Sequence, residues 1–417
     1  MSKTRRARRV FRGCAILATL GVFGIGASLG ALWLEHRTEV TLPAPTGPFA
    51  VGRTIYAWAD DGSSDPLAPV PGTRRELLVW IWYPAAARQS AAMAAMMDDY
   101  VPAQLRAAGA RTNRPSPMSP MRWLTRDPSQ VRAHSLRNAD VSPQQPSYPV
   151  VILRAGASAP VMNYSTLAED LASHGYVVVG FDAPYRTSVV VFPDGRVITR
   201  TPENNPELVT GQEFVRRANK LLAAWTGDIA FVLDRLARLN TADASGKFTG
   251  RLDMTRVGIF GHSFGGAQAA QFCHDDARCK AGIDVDGAPL GSVVREGIHQ
   301  PFMFLLSDHG DLSSDAESRQ VYADVRSIYD RLPVDRRLLL AIRGANHFTF
   351  SDDGAVLKSH VVRGALRAFG KLGIDGRRQL AVTAYCVHSF FDAYLKGPSD
   401  SRLKISSPLY PEIQVLE

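Results

Sequence analysis

The chain has 417 residues, of which 45% are hydrophobic and 21% charged, an ordinary composition for a globular protein with a large core. Its formal net charge is +8, but residues 1–36 hold six Lys and Arg against one Glu, so the rest of the chain carries only +3. That remainder shows no zinc-finger, RRM, KH or helix-turn-helix signature. Charge and motifs together exclude a nucleic-acid-binding protein.

The first 36 residues have the pattern of an export signal or a membrane anchor. A basic head ending at Arg12 precedes Cys14–Leu34, 21 residues without a charge, which can span a bilayer as a helix. The positive-inside rule keeps the head in the cytoplasm and sends the rest of the chain across the membrane. Arg8-Arg9 also resembles the twin-arginine export pattern. We expect a protein that is exported by the Sec or the twin-arginine route. Its amino-terminal segment is then either cleaved off as a signal or retained as an anchor through residues 14–34.

Residues 37–417 are expected to form a single domain with one long insertion. The β-rich runs Val51–Trp58 and Glu76–Tyr83 predict an antiparallel pair at the edge of a sheet. Alanine and methionine, then arginines among prolines and serines, fill residues 86–147. We interpret this stretch as a short helix and a long surface excursion that forms a cap over the site.

From Tyr148 onward, continuous apolar runs alternate with amphipathic helices. The runs are typical of buried parallel strands: Val150–Leu153, Tyr176–Phe181, Val257–Phe260, Gly282–Val285, Phe302–Leu306 and Leu338–Ile342. The helices are predicted over Tyr164–Ser173, Phe214–Leu236, Asp315–Arg331, Ala355–Phe369 and Gln379–Leu395. Asp194-Gly195 indicates a hairpin. The alternation predicts an α/β fold with a mostly parallel sheet and helices on both faces.

The segment Gly261-His262-Ser263-Phe264-Gly265 has the G-x-S-x-G form. An apolar strand precedes it and a helix-compatible stretch follows, which is the context of a nucleophilic serine held on a strained turn. A side chain two residues before or after the serine would collide with the neighbouring strand or helix, so glycine is needed there. We therefore predict Ser263 as the nucleophile.

A serine hydroxyl needs a base, which in this fold follows the nucleophile and an acid in chain order. His347 lies on the loop after the last predicted strand, at the carboxyl edge of the sheet where ligands gather. His309, on the loop after Leu306, is the second candidate. His360 and His388 fall within predicted helices, where packing is the simpler role. We predict His347 as the base.

The position of the acid is open from spacing alone. The helix that follows Ser263 is called the elbow helix below. Asp284 and Asp286 lie at the end of the strand after it, with their side chains on the same face. Asp308 and Asp311 follow the next strand, where many hydrolases of this fold carry their acid. Position divides the choice evenly between the two places.

Several segments resemble the platelet-activating-factor acetylhydrolase family, which is itself similar to bacterial polyester hydrolases. They are Gly261–Gly266, Ile283–Pro289, Gly344–His347 and, upstream, Asp170–Tyr176, and the likeness covers roughly residues 45–395. The resemblance implies an α/β-hydrolase fold and a serine ester hydrolase that needs no cofactor. It also places the acid after the strand that follows the elbow helix, which implies Asp286.

Two backbone N–H groups are needed to hold the oxyanion. One is expected from Phe264, directly after the nucleophile. The resemblance places the other in the turn after Val150–Leu153, where the family has His-Gly before the donor. Here the turn has Ala155-Gly156-Ala157, so Ala157 is the implied donor and Ala155 replaces the usual histidine.

The four cysteines follow from the expected location. In an oxidising compartment we expect a disulfide between Cys273 and Cys279, with two separate buried thiols as the alternative. No spacing fits a zinc site, and no metal is expected.

The sequence as a whole predicts an exported ester hydrolase that acts on a small or lipid-like ester. A peptidase or acyltransferase of the same fold, or a binding protein without turnover, remains as the alternative.

Overall fold

The computed structural model describes residues 2–86, 97–103, 125–308, 316–357, 360–370, 373–397, 405 and 407–416. Most of the alanine- and methionine-rich start of the insertion, where a short helix is predicted, lies outside these ranges, as do His309 and Asp311. For residues 2–17, 97, 98, 317, 360 and 361 only the backbone is described.

Twelve of the described strands form one sheet, in the order β1-β5-β2-β3-β7-β6-β10-β11-β12-β13-β14, with β4 beside β5. Two more strands form a separate hairpin around Asp194-Gly195, as predicted. The strands are β1 (Val40–Thr41), β2 (Ala50–Ser64), β3 (Arg74–Ala85), β4 (Met97–Asp99), β5 (Val131–Arg137), β6 (Tyr148–Arg154), β7 (Val177–Asp182), β8 (Val189–Val191), β9 (Val197–Thr199), β10 (Leu252–His262), β11 (Cys279–Val285), β12 (Phe302–Leu306), β13 (Arg337–Ile342) and β14 (Ile413–Val415).

The helices connect these strands. They are α1 (Ser2–His36), α2 (Ser165–Ser173), α3 (Gly211–Thr241), α4 (Phe264–Asp275), α5 (Val293–Glu296), α6 (Ala316–Tyr329), α7 (Asp353–Val356), α8 (His360–Ala368) and α9 (Gly376–Leu395). Strands β7, β6, β10, β11, β12 and β13 are all mutually parallel, whereas β3 and β14 pair antiparallel at either end of this block. The predicted fold class is therefore confirmed.

The central strands are buried on both faces because helices cover the sheet from both sides. In β6, Val151 and Leu153 face one core with α2 and α9, while Val150 and Ile152 face the other with α3, α4 and α6. A strand that is buried on both faces needs no polar alternation, which explains its continuous apolar sequence.

The arginine-rich stretch differs from its prediction, because residues 131–137 form a strand of the sheet. This strand, β5, pairs in parallel with β2, and β1 lies outside it, so the antiparallel pair β2–β3 is not the edge. Val131, Ala133 and Leu136 are buried between polar residues. Only Val131 and Leu136 are large apolar residues in this strand, and such a sparse apolar pattern conceals the strand in the sequence.

The predicted helix over Ala355–Phe369 is divided into α7 and α8. Leu357 has extended backbone angles (φ −53°, ψ 133°) and forms an isolated antiparallel bridge with Thr125. Pairing with a distant segment thus interrupts a stretch whose periodicity is helical throughout.

Helix α1 contains, among the described residues, one segment that is long and apolar enough to cross a membrane, Ala18–His36. Large side chains in it are exposed, including Val22 at 70% and Phe23 at 73%. The described part of this helix thus contributes little apolar surface to the core.

Candidate active site

Ser263 occupies a sharp turn between β10 and α4. Its backbone angles are φ 58° and ψ −125°, a conformation that a residue with a side chain rarely adopts. The Ser263 N–H donates to the carbonyl of Val285 at 2.9 Å, which ties the turn to the neighbouring strand β11. The turn therefore presents the hydroxyl at the carboxyl end of the central strands.

Two glycines allow this turn because side chains there would meet backbone. A Cβ on Gly261 would collide with the backbone of Gly265, at the start of α4. A Cβ on Gly265 would lie 2.7 Å from the Ala155 carbonyl oxygen and would also collide with that of Arg154. The helix start thus packs directly on the end of β6.

His347 lies within hydrogen-bond distance of both Ser263 and Asp286. Its Nε2 is 3.1 Å from the Ser263 Oγ, and its Nδ1 is 2.7 Å from Asp286 Oδ2. The three residues follow β10, β11 and β13, whose carboxyl ends meet at one edge of the sheet. The structure brings together the three side chains that the sequence singled out as nucleophile, acid and base.

Asp286 is held firmly in this position. It directly follows β11 with a positive φ of 54°, and its N–H donates to the Leu305 carbonyl at 2.8 Å. The Ser307 N–H donates to Asp286 Oδ1 at 2.7 Å, leaving Oδ2 for His347. Both oxygens of this buried carboxylate therefore have defined partners.

The alternative acids lie elsewhere. Asp284 is fully buried beneath the elbow helix, where it accepts from the Gly287 N–H at 2.7 Å. Burial raises the pKa of Asp284 to about 8, because its charged form is removed from water. Asp308 accepts from the Gly344 N–H at 2.7 Å, and Asp311 is outside the described residues.

The loop that carries His347 is anchored to α9. Gln379, buried in α9, accepts from the Asn346 N–H at 3.0 Å and donates to the Asn346 carbonyl at 2.9 Å. The Asn346 side chain in turn accepts from the Phe348 N–H at 3.0 Å. These bonds fix the backbone on either side of the imidazole.

The turn after β6 approaches Ser263 closely. A Cβ on Gly156 would lie 3.0 Å from the Ser263 Cβ, and Ala157 has a positive φ of 35°. Ala157 lines the same cleft as Ser263. Phe264 is the first residue of α4, so its N–H belongs to the positive end of the helix dipole. The two predicted N–H donors thus lie directly after Ser263 and in the turn that approaches it.

Sequence reasoning missed a chain of contacts beneath the site. The Gly156 N–H donates to the Tyr164 hydroxyl at 3.1 Å, and that hydroxyl is 2.8 Å from His262 Nδ1. The ring of His262 lies against that of His347, with centroids 4.6 Å apart. Burial lowers the pKa of His262 to about 3, so this imidazole is neutral. The position of His262 inside the motif was the one signal in the sequence.

A second missed residue is Arg154, at the end of β6. Its guanidinium lies between the rings of Phe181 (3.8 Å) and Trp225 (4.3 Å), and it donates to Gln268 of α4 at 2.8 Å. Burial lowers the pKa of this guanidinium to about 9. Arg154 thus joins the strand before the Ala157 turn to the elbow helix. An arginine at the end of an apolar strand run was its visible signal.

The hydroxyl of Ser263 opens into a cleft of about 390 Å³. Its wall includes the Gly156–Pro160 turn, Ser188 before the β8 hairpin, Phe348 and Asp353. The lining contains no described residue from 97–103 or 125–147. The predicted cap therefore has no counterpart in the part of the insertion that the structure describes.

Cys273 at the end of α4 and Cys279 at the start of β11 form a disulfide. It connects the helix that follows Ser263 to the strand that precedes Asp286. Cys386 is a buried free thiol in α9, and burial raises its pKa.

One group of described residues has the composition of a metal site: Asp170, His174 and His388. Asp170 already accepts from the Thr46 N–H at 3.0 Å and from its hydroxyl at 2.7 Å, and it lies 3.0 Å from His388 Nδ1. The two imidazoles stack at 3.9 Å with 24° between their planes. With Asp170 bonded to Thr46 and His388 and the two rings stacked on each other, this group forms a hydrogen-bonded network that joins α2 to α9.

Comparison with known proteins supports the likeness that the motifs suggest. A profile of the family "Platelet-activating factor acetylhydrolase, isoform II" matches residues 34–190 and 212–400. The chain is 27% identical over 290 residues to a probable 1-alkyl-2-acetylglycerophosphocholine esterase of Arthroderma benhamiae, covering 64% of this chain and 66% of that protein. It is 28% identical over 227 residues to the platelet-activating factor acetylhydrolase of Cavia porcellus, covering 49% and 48%. The matched region spans just under two thirds of the first relative and about half of the second.

A solved structure resembles the chain over nearly its whole length. The ferulic acid esterase from Streptomyces cinnamoneus has a TM-score of 0.70 and 26% sequence identity, and the match covers 90% of this chain and 99% of that one. The shared architecture is that of the α/β hydrolases, and the matched family and relatives are acetylhydrolases and esterases by name. The profile match over most of the sequence shows that this chain belongs to the platelet-activating factor acetylhydrolase family.

Proposed function

We propose that the chain is an exported serine ester hydrolase that acts through an acyl-enzyme. The observation that carries this proposal is the continuous contact from Asp286 Oδ2 to His347 Nδ1 (2.7 Å) and from His347 Nε2 to Ser263 Oγ (3.1 Å). Both distances are within the range that proton transfer between these groups requires.

In the proposed mechanism the Ser263 oxygen attacks the ester carbonyl while its proton passes to His347 Nε2. Asp286 accepts from Nδ1–H, which fixes the tautomer and stabilises the imidazolium. The N–H groups of Phe264 and Ala157 hold the oxyanion. The intermediate then expels the alcohol, which takes the proton from His347 and leaves an acyl-serine. Water, deprotonated by His347, hydrolyses the acyl-serine and restores the free hydroxyl.

The substrate class follows from the relatives and the cleft. The relatives act, by their names, on acetylated alkyl glycerophospholipids, and the structural neighbour acts on ferulic acid esters. A cleft of about 390 Å³ beside Ser263 is of the size that binds small organic molecules. We infer a short acyl group on a small or lipid-like alcohol.

Export is supported by the amino-terminal segment and by the disulfide. Ala18–His36 is an apolar helix behind a basic head, and Cys273–Cys279 is a bond typical of oxidising compartments. We infer that residues 1–36 are a signal or anchor and that residues 37–417 form the exported domain. Fusing a reporter active only outside the cytoplasm to residue 40 and to residue 417 tests this; a reporter that is made but stays inactive in both fusions contradicts export.

A fluorophosphonate probe tests the mechanism directly, because it reacts with activated serines. We expect labelling of the folded chain at Ser263 and none in Ser263→Ala, with matching loss of hydrolysis of p-nitrophenyl esters from acetate to decanoate. Labelling that persists in Ser263→Ala contradicts the assignment. Turnover of peptide substrates without ester hydrolysis would favour a peptidase, and a folded chain without labelling would favour a binding protein.

A further inference from the structure

The direction of the Ala157 N–H depends on the bonds of the turn around it. This N–H and the Gly156 carbonyl belong to one planar trans peptide, so they point in opposite directions. The Gly156 carbonyl accepts from the Ala159 N–H at 2.8 Å, whereas the Ala157 N–H has no acceptor among the described residues. Gly156 and Ala157 both line the cleft beside Ser263. The bond from Ala159 therefore sets the direction of an N–H that is proposed to hold the oxyanion.

The far end of this turn is bonded to strand β7. Val161, two residues after Ala159, donates its N–H to Asp182 Oδ1 at 2.8 Å. Pro160 lies between them with a φ of −64°, an angle that its ring holds fixed. The Val161 side chain is buried directly against β7, where a Cβ on Gly180 would collide with it. A displacement of Val161 is thus passed to Ala159 through a stiff residue.

Asp182, the last residue of β7, is a buried side chain that connects the turn to the centre of the sheet. Its other oxygen, Oδ2, accepts from the indole N–H of Trp80 at 3.0 Å, and Trp80 is fully buried in β3. These are the two hydrogen bonds that the carboxyl group accepts from described residues. The one backbone group among them is the N–H of Val161.

Other hydrogen bonds hold the turn at different points. The Gly156 N–H donates to the Tyr164 hydroxyl at 3.1 Å, and the Ser158 carbonyl accepts from the Ser188 N–H at 2.8 Å. Neither bond reaches the end of the turn that contains Val161. Asp182 is therefore the side chain that fixes this end.

We propose that Asp182 is a positioning residue for ester hydrolysis, which holds Val161 so that the Ala157 N–H points at the oxyanion. This inference rests on the proposed serine hydrolase mechanism. Asp182 is not among the residues that line the cleft, so it acts through the turn and not on the substrate. A shift of about 1 Å in a positioned group can slow a reaction about 10²-fold.

Asp182→Ala should therefore lower kcat on p-nitrophenyl acetate by about 10- to 100-fold. We expect KM to change little, because the charge on the oxygen develops only after the substrate is bound. Measurement of both constants in mildly alkaline buffer checks this split.

A second ester separates this role from a general loss of folded protein. It is the thiono analogue of p-nitrophenyl acetate, in which sulfur, a weaker hydrogen-bond acceptor, replaces the carbonyl oxygen. A misdirected Ala157 N–H slows the oxygen ester more than the thionoester. The ratio of the two kcat/KM values, oxygen over sulfur, should therefore fall about tenfold in Asp182→Ala. A loss of folded protein lowers both rates equally and leaves the ratio unchanged.

Val161→Pro removes the same hydrogen bond from its other partner. Proline has no N–H, and Val161 is the first residue of the helical turn Val161–Tyr164, the position at which proline is tolerated. We expect the same fall in the ratio, and no further fall when Asp182→Ala is added to Val161→Pro. This variant decides the question where Asp182→Ala does not fold.

The matched control is Asp253→Ala, which removes a carboxyl group that accepts from the Thr255 N–H at 3.0 Å near the amino end of β10. It should leave the ratio unchanged. An unchanged ratio in both Asp182→Ala and Val161→Pro overturns the proposal, as does an equal fall in the control. Failure of the wild-type chain to hydrolyse either ester contradicts the proposed function instead.

Discussion

The imidazole of His262 lies against that of His347, with ring centroids 4.6 Å apart, and its Nδ1 contacts the hydroxyl of Tyr164 at 2.8 Å. The same hydroxyl accepts from the Gly156 N–H at 3.1 Å. One phenol thus links the turn that carries Ala157 to the ring that supports His347.

Tyr164→Phe should therefore slow the reaction without unfolding the chain. Removing the hydroxyl frees the Gly156 N–H and one side of His262, and we expect kcat on p-nitrophenyl acetate to fall about tenfold with little change in KM. Because burial keeps His262 neutral, its pKa being about 3, the acidic limb of the pH profile should remain a single titration. Tyr394→Phe, which removes a hydroxyl bonded to the Asp335 carbonyl at 3.3 Å, is the control. Equal rates in both variants contradict the positioning role.

Asp286→Asn should reduce kcat by about 10³ to 10⁴-fold, because an amide in place of the carboxylate cannot hold His347 in the required tautomer. Asp308→Asn is the matched control, since Asp308 contacts the backbone of Gly344 and not the imidazole. We expect it to retain activity within about tenfold. A greater loss of kcat in Asp308→Asn than in Asp286→Asn would show that the catalytic acid is on the loop after β12.

Gly265→Ala should destabilise the fold. The added methyl group would lie 2.7 Å from the Ala155 carbonyl oxygen, and separating α4 from β6 should cost about 1–3 kcal/mol of unfolding free energy. The control is Gly364→Ala in α8, where the added Cβ has no neighbouring atom within 4 Å. We expect this variant to raise the unfolding free energy by about 0.5–1 kcal/mol. Chemical denaturation of both variants measures the difference. A neutral Gly265→Ala would show that the helix start can move away from β6.

Asp284 should make the fold less stable as pH rises. Its pKa is raised to about 8 in the folded chain, against about 3.9 when unfolded, so between these values the folded state binds the extra proton. Stability from this group is full below the unfolded value and declines by up to about 1.4 kcal/mol per pH unit until the folded pKa is passed. Asp284→Asn should flatten the unfolding free energy between pH 5 and 8, and the exposed Asp335→Asn should not. Parallel pH curves for wild type and Asp284→Asn would exclude this titration.

Periodicity and chain order predict most of the central sheet and the positions of Ser263 and His347, because the carboxyl ends of parallel strands meet at one edge. Spacing alone did not separate Asp286 from Asp308 or Asp311, since loops after adjacent strands reach the same region. The family resemblance favoured Asp286, which the structure places beside His347. The resemblance itself is confirmed by the profile match.

Long-range contacts account for what the sequence concealed. Strand β5 pairs with β2 through residues that lie 84 positions apart, such as Gly52 and Leu136, and β5 contains few large apolar residues that would reveal it. Leu357 leaves the helical path to pair with Thr125. The link from Tyr164 to His262 spans 98 positions, and no local pattern encodes such a contact.

The anchoring of Asn346 by Gln379 has a consequence for the order in which the site is completed during synthesis. A nascent chain that has emerged as far as His347 already contains nucleophile, acid and base, yet it lacks the α9 residue that fixes the backbone beside the imidazole. The competent geometry therefore waits for α9 to dock. If the chain is exported before α9 docks, it crosses the membrane before it can hydrolyse esters inside the cytoplasm of the producing cell.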